Sequence, residues 1–174
     1  MKVELKDLHD GPLDVKIDCS PEEIELDEPD FRFPDRVQGL VNFKLVGKRV
    51  MAKGPIHTRI IGQCVRCLAD VELPLASNVD AVYENDEELL KPERKAFGSD
   101  EQIITYYDGE SIHPEPELRE TLMLELPMRP LCKEDCKGLC PSCGADLNET
   151  TCDCAENLRS ANAWKATLKN IKLE

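Results

Sequence analysis

The chain of 174 residues is 41% hydrophobic and 33% charged, with a formal net charge of −13. That balance is globular, long enough for one domain with a core or a small domain plus an accessory module, and it argues against repeat arrays. No run of about 18 apolar residues occurs and MKVELKDLHDG has no apolar signal-type segment, so neither a secretory signal nor a membrane span is expected, no membrane partner is anticipated, and a cytoplasmic location is expected.

In chain order, the first half reads as strands. Residues 37–46 (VQGLVNFKLV) alternate, Gly47-Lys48 suits a two-residue II′ turn, and residues 49–52 return. Gly54-Pro55 is expected to break that strand before residues 56–62 resume it. Residues 69–83 read as a further strand with an irregularity at Pro74. The fold class is therefore α+β: an antiparallel β-meander or partly curled sheet over 1–83, followed by a charged connection at 84–102 that lacks periodicity. The third segment, 103–174, begins with a hairpin around Asp108-Gly109. PEPELRETLMLELP then opens with prolines and acids, as helix N-termini do, and sets Leu118, Leu122 and Leu126 on one face. A Cys-rich segment follows. The last element is a short C-terminal helix with Ala161, Trp164, Leu168 and Ile171 on its apolar stripe.

Charge is segregated along this path. From Arg36 to Cys67 there is no acid, while Arg36, Lys44, Lys48, Arg49, Lys53, Arg59 and Arg66 supply seven positive charges against a net of −13, so the rest of the chain carries −20. A basic face on an acidic body favours an anionic partner such as RNA at that face, with Lys44, Lys48, Arg49, Lys53, Arg59 and Arg66 as the candidate contacts. The same run also reads as a solvated strand pair whose Lys and Arg guard exposed edges.

There are nine cysteines, and in a reducing compartment such a pattern indicates metal or redox chemistry rather than disulfides. Setting Cys19 aside, they pair as Cys64-x2-Cys67, Cys132-x3-Cys136, Cys140-x2-Cys143 and Cys152-x-Cys154. Each spacing aims two thiolates at one point: a tight turn does so for C-x2-C, a helical turn for C-x3-C, and one face of an extended segment for C-x-C. Eight thiolates suffice for two tetrahedral Zn2+ sites of the closed, structural kind. Proximity suggests a local set of Cys140, Cys143, Cys152 and Cys154. That leaves Cys64, Cys67, Cys132 and Cys136 for a second set that staples the C-terminal segment to the β-domain. A crossed arrangement of CVRC with CPSC, or a single ion with spare thiols, is also compatible with the spacing.

No catalytic pattern accompanies these ligands. His9, His57 and His113 stand in no motif, and P-loop, GxSxG, HExxH and GxGxxG patterns are missing. The expectation is a protein with no catalytic residues and no small-molecule substrate. The alternatives are a thiol-redox or RNA-modifying enzyme using the C-x2-C cysteines, which requires a reactive thiolate, and a purely structural interaction module.

CVRCL after a basic strand, LP-x-x-P-L-C after a helix, and CKGLCPSCGADLN with a terminal CDC together resemble the bacterial and plastid YceD family of large ribosomal RNA subunit accumulation proteins. The resemblance spans most of the chain. It implies a role in accumulation or processing of large-subunit ribosomal RNA and in ribosome assembly, with precursor RNA or ribosomal proteins as partners and no established catalysis. It also implies Cys64, Cys67, Cys132, Cys136, Cys140 and Cys143 as family-like cysteines with Arg66 inside the first knuckle, Cys152 and Cys154 fitting the cysteine-rich version of the pattern.

Overall fold

The computed structural model describes residues 1–85, 104–107 and 110–154. Most of the charged connection, the Asp108-Gly109 turn and the C-terminal helix with Trp164 lie outside the described residues. The chain forms two compact units, Met1–Gly62 with Glu72–Met128, and Gln63–Val71 with Arg129–Glu174.

In the first unit, β1 (Val3–Glu4) leads into the short helix α1 (Leu5–Leu8), β2 (Leu13–Cys19) and β3 (Phe31–Arg32). The long strands β4 (Val37–Val46), β5 (Arg49–Gln63) and β6 (Asp70–Asn85) follow, then β7 (Ile104–Tyr107), β8 (Ser111–Ile112) and the helix α2 (Glu115–Leu124). The main sheet is open, in the order β2-β4-β5-β6-β7, with β3 pairing β5 off this path. β2 lies antiparallel on β4 from Leu13 opposite Phe43 to Cys19 opposite Val37. Gly47, at φ +65°, leads the two-residue turn that sets Val46 opposite Arg49, the positive φ that a glycine-first hairpin turn requires.

Period-2 alternation decides which side chains these strands bury. On β4 it buries Val37, Val41 and Phe43, and on β5 Val50, Ala52, Ile56 and Ile60, all at most 1% exposed. Leu75, Val79 and Tyr83 of β6 join them, and Leu118 and Leu122 of α2 complete the core. Pro114 caps α2, Pro116 sits in its first turn, and Leu126 is partly buried beyond its end. Cys19, the cysteine without a pair, packs in the same core; burial pushes its thiol pKa up, so it behaves as a small apolar residue.

Two local expectations are corrected. β5 does not break at Gly54-Pro55. Pro55 has no N–H to give, and the β4–β5 ladder passes over Leu40, Val41, Gly54 and Pro55 before resuming at Gly39 opposite Ile56. The strands stay together because two glycines permit a close approach: a Cβ on Gly39 would overlap the Pro55 carbonyl oxygen, and one on Gly54 the Leu40 carbonyl oxygen. β6 spans Pro74 as a single strand, Asp70–Asn85, as the sequence pattern over 69–83 leads one to expect. Finally, β7 and β8 do not form a hairpin together. β7 lies parallel on β6, from Val82 opposite Ile104 to Asn85 opposite Tyr107, while β8 pairs antiparallel with β1. Residues 86–103 intervene, more than the dozen or so that a parallel return requires. Glu117 of α2 then holds the pair, its carboxylate accepting from Tyr83 Oη (3.1 Å) and Thr105 Oγ1 (2.5 Å).

Candidate metal centre

The second unit is organised by two copies of one small turn. In CVRCLAD (64–70), the Cys64 N–H donates to the Ala69 carbonyl at 2.8 Å and the Leu68 N–H to the Cys64 carbonyl at 2.8 Å. In CPSCGAD (140–146), the Cys140 N–H donates to the Ala145 carbonyl at 2.8 Å and the Gly144 N–H to the Cys140 carbonyl at 2.9 Å. The residue after the second cysteine takes a left-handed φ in both, +62° at Leu68 and +73° at Gly144. Glycine is the natural occupant of that conformation; Leu68 adopts it with its side chain 57% exposed.

Each knuckle gathers two further sulfurs. Cys64, Cys67, Cys132 and Cys136 form one set and Cys140, Cys143, Cys152 and Cys154 the other, the ligand atoms of each lying within 4.8 Å of one another. This is the proximity grouping, with CVRC paired to Cys132 and Cys136 rather than to CPSC. Cys64 Sγ stands 3.8 Å from Cys136 Sγ, and Cys67 Sγ 3.6 Å from Cys132 Sγ. A tetrahedron with Zn–S bonds of about 2.3 Å has sulfur–sulfur edges of about 3.8 Å, so the first set is dimensioned for such an ion. Neither set contains His9, His57, His113 or a carboxylate. Four thiolate donors fill a tetrahedron and leave no open position.

Backbone amides prepare the leading cysteine of each knuckle for ionisation. Burial opposes the charge on Cys64, but the amides of Cys132, Cys67 and Arg66 aimed at its sulfur outweigh it and bring the thiol down to about 6. The amides of Cys143 and Ser142, with the Cys152 thiol, do the same for Cys140, also to about 6. Their partners move the other way: sharing a proton with Cys136 pushes Cys132 up to about 12, and sharing one with Cys143 pushes Cys154 up to about 12. Four sulfurs this close cannot all ionise without a cation among them.

Arg66, a candidate RNA contact by sequence, is exposed and also reaches the loop of the first set. Its Nη1 donates to the carbonyls of Cys136 (2.8 Å) and Glu134 (3.2 Å), bracing the loop that carries Cys132 and Cys136. The other proposed contacts belong to the first unit, with Lys44 on β4, Lys48 in the turn, and Arg49, Lys53 and Arg59 on the exposed face of β5. The sheet brings acids to that face from segments distant in sequence. Arg49 meets Glu84 at 3.3 Å and Lys53 meets Asp80 at 2.9 Å. Arg59 meets Asp35 at 2.5 Å and Glu72 at 3.4 Å, and its guanidinium holds the Asp35 carboxyl below the usual carboxylate range. Among the described residues, Lys44 and Lys48 have no carboxylate within ion-pair distance. The acid-free stretch of sequence is thus not an acid-free surface.

Two features of the site escape a reading by cysteine spacing. One is the repeat itself, legible as C-x2-C-[L/G]-A-D at 64–70 and 140–146. The other is Asn148, whose Nδ2 donates to Cys136 Sγ at 3.4 Å; only its place in GADLN, directly after the second knuckle, hints at it.

A family model described as large ribosomal RNA subunit accumulation protein YceD matches residues 52–172. An uncharacterized protein of Mycobacterium tuberculosis is 28% identical over 102 residues, covering 59% of this chain and 47% of the relative. One of Mycobacterium leprae is 26% identical over 102 residues, covering 59% and 45%. The large ribosomal RNA subunit accumulation protein YCED homolog 1, chloroplastic, of Arabidopsis thaliana is 28% identical over 173 residues, covering 79% and 54%. The chain spans about half the length of these curated relatives. No solved structure matches it.

Proposed function

The chain belongs to the YceD family of large ribosomal RNA subunit accumulation proteins, and from that premise we propose that it is a non-enzymatic, cytoplasmic accessory factor for large-subunit ribosomal RNA accumulation and processing, built around two structural Zn2+ sites. The observation that carries the metal reading is the donor set: two complete groups of four sulfurs, each within 4.8 Å, with no other ligand type among them. When bound, Zn2+ supplies a closed tetrahedral cross-link and no Lewis-acid position for chemistry. Cys64 and Cys67 would be tied to Cys132 and Cys136 across a long stretch of chain, a closure that stabilises by roughly a few kcal/mol on the loop-entropy model. Cys140, Cys143, Cys152 and Cys154 would close the second, local site.

The partner is a component of the assembling large subunit, either its RNA or a ribosomal protein, and the ion pairs favour the protein. Arg49, Lys53 and Arg59 are already matched to carboxylates, so a phosphate would have to displace Glu84, Asp80 and Asp35 to reach them. A net charge of −13 repels nucleic acid at long range and attracts the basic proteins of the ribosome. Among the described residues no helix is long and apolar enough to cross a membrane.

The test is zinc per chain by elemental analysis of protein purified under reducing conditions, together with co-sedimentation with large-subunit precursors before and after ribonuclease treatment. Two zinc ions with ribonuclease-resistant association is the expected result. Ribonuclease-sensitive association moves the partner to RNA, and zinc-free protein with thiols reactive at Cys64 and Cys140 replaces the structural reading with a redox one.

A further inference from the structure

The two cysteine sets are mechanically joined by the segment that leaves the second knuckle. Asp146, the last residue of CPSCGAD, bridges to Leu139, and the Leu147 N–H donates to the Gly138 carbonyl at 2.9 Å. The Leu139 N–H in turn donates to the Arg66 carbonyl of the first knuckle at 3.0 Å. Asn148 sits at the end of this ladder with its amide fully committed. Its Oδ1 accepts from the Lys137 N–H at 2.9 Å. Its Nδ2 donates both to Asp146 Oδ1 at 2.7 Å and to Cys136 Sγ at 3.4 Å. Asp146 Oδ1 also accepts from the Asn148 N–H at 2.8 Å. Because the Lys137 N–H demands an acceptor, the amide can face only one way, which leaves its N–H directed at the sulfur.

We propose that Asn148 is a positioning residue that couples the two clusters: metal uptake at Cys140, Cys143, Cys152 and Cys154 orders Asp146 and Asn148, and the resulting N–H···S hydrogen bond to Cys136 strengthens metal binding at Cys64, Cys67, Cys132 and Cys136. The physical basis is that a site of four thiolates around one divalent ion carries a net −2, and a donor on a ligand sulfur stabilises that charge. The donor is delivered by a residue two positions beyond the second knuckle, so its placement depends on whether that knuckle is folded around an ion. Exposure supports the direction of control. Three of the four first-set cysteines are buried, against one of four in the second, so the second set is the one open to exchange. Linkage makes the effect reciprocal: each occupied site raises the affinity of the other by the same factor.

This inference rests on reading both clusters as zinc sites, and the experiment separates the two claims. The full chain is equilibrated across a series of zinc-buffered solutions and pulsed with N-ethylmaleimide, and protection of each cysteine is read by mass spectrometry, giving a zinc midpoint for each cluster. The chains compared are the parent, Asn148→Asp, Cys152→Ser/Cys154→Ser, and the triple variant. Asn148→Asp keeps an acceptor for the Lys137 N–H but removes the donor to Cys136. The expected result is a rise of about ten- to a hundredfold in the first-cluster midpoint for Asn148→Asp and a comparable rise for Cys152→Ser/Cys154→Ser. Adding Asn148→Asp to the latter should then change little. That non-additivity separates coupling from simple structural damage, which would add in both backgrounds. Equal cost of Asn148→Asp in both backgrounds, or no cost in either, overturns the coupling while leaving two zinc sites in place. A parent chain unprotected by zinc at one cluster overturns both the coupling and the reading on which it rests.

Discussion

Replacing Gly138 by alanine tests the packing of the metal-binding unit at its tightest point. Gly138 takes φ +76°, and a Cβ built on it would stand 2.9 Å from the Arg66 carbonyl oxygen and 3.2 Å from Arg66 Cβ. The left-handed backbone costs an L-residue about 1–2 kcal/mol, and pushing back a backbone carbonyl costs about another 1 kcal/mol. Weakening the Leu139–Arg66 hydrogen bond that shares this carbonyl adds about 1 kcal/mol. Against this, alanine narrows the unfolded ensemble by about 0.4–1 kcal/mol, so the net loss is about 2–4 kcal/mol. Gly144→Ala is the matched control. Its φ is +73°, but nothing lies within 4 Å of its Cβ position, so only the backbone term applies and the net cost is about 0–1.6 kcal/mol. The assay is urea denaturation of cobalt-loaded protein followed at its thiolate-to-metal absorption, which reports the cysteine-bearing unit alone. Equal destabilisation by the two variants would refute the claim that close approach to Arg66 is what requires glycine at 138.

Gly39→Ala is the corresponding change in the first unit, where a Cβ would overlap the Pro55 carbonyl oxygen; a loss of about 1–3 kcal/mol by thermal denaturation, with zinc content unchanged, is expected. Tyr83 has its pKa raised, first by burial and then by the charge of Glu117 and the hydrogen bond to it. Its folded value therefore exceeds the unfolded value of about 10, so its contribution is complete below about pH 10 and declines as pH rises toward the folded value. Tyr83→Phe should be about 1 kcal/mol less stable at neutral pH but flatter above pH 10, and parallel alkaline limbs for the two proteins would contradict the assignment. Charge reversal at Lys44 and Lys48 should leave co-sedimentation with large-subunit precursors unchanged; its loss would place phosphate contacts at that end of the hairpin. Arg59→Ala should lower the melting temperature only slightly, and less as salt increases, because its pairs with Asp35 and Glu72 are exposed.

What the sequence by itself determined is what short-range geometry controls. Alternation over 37–63 identifies the buried face of β4 and β5 because side chains must alternate across a pleated strand. The glycine at 47 marks the hairpin, the leucines at 118 and 122 mark the inward face of α2, and each C-x2-C closes on itself within a few residues. Tertiary structure alone decided the rest, because those features join residues whose separation no local period encodes. Spacing favoured Cys64 and Cys67 with Cys132 and Cys136 but left the CPSC repeat open as their partner, and the fold decided for Cys132 and Cys136. β7 joined β6 in parallel, and the cations of β5 acquired Asp35, Glu72, Asp80 and Glu84 as neighbours. Asn148 became a sulfur's hydrogen-bond donor only when the chain leaving the second knuckle folded back on Gly138. The charge count along a sequence records which residues are consecutive, whereas the field at a surface depends on which become adjacent, and the sheet brings acids to an acid-free strand because neighbouring strands lie about 5 Å apart whatever their distance along the chain.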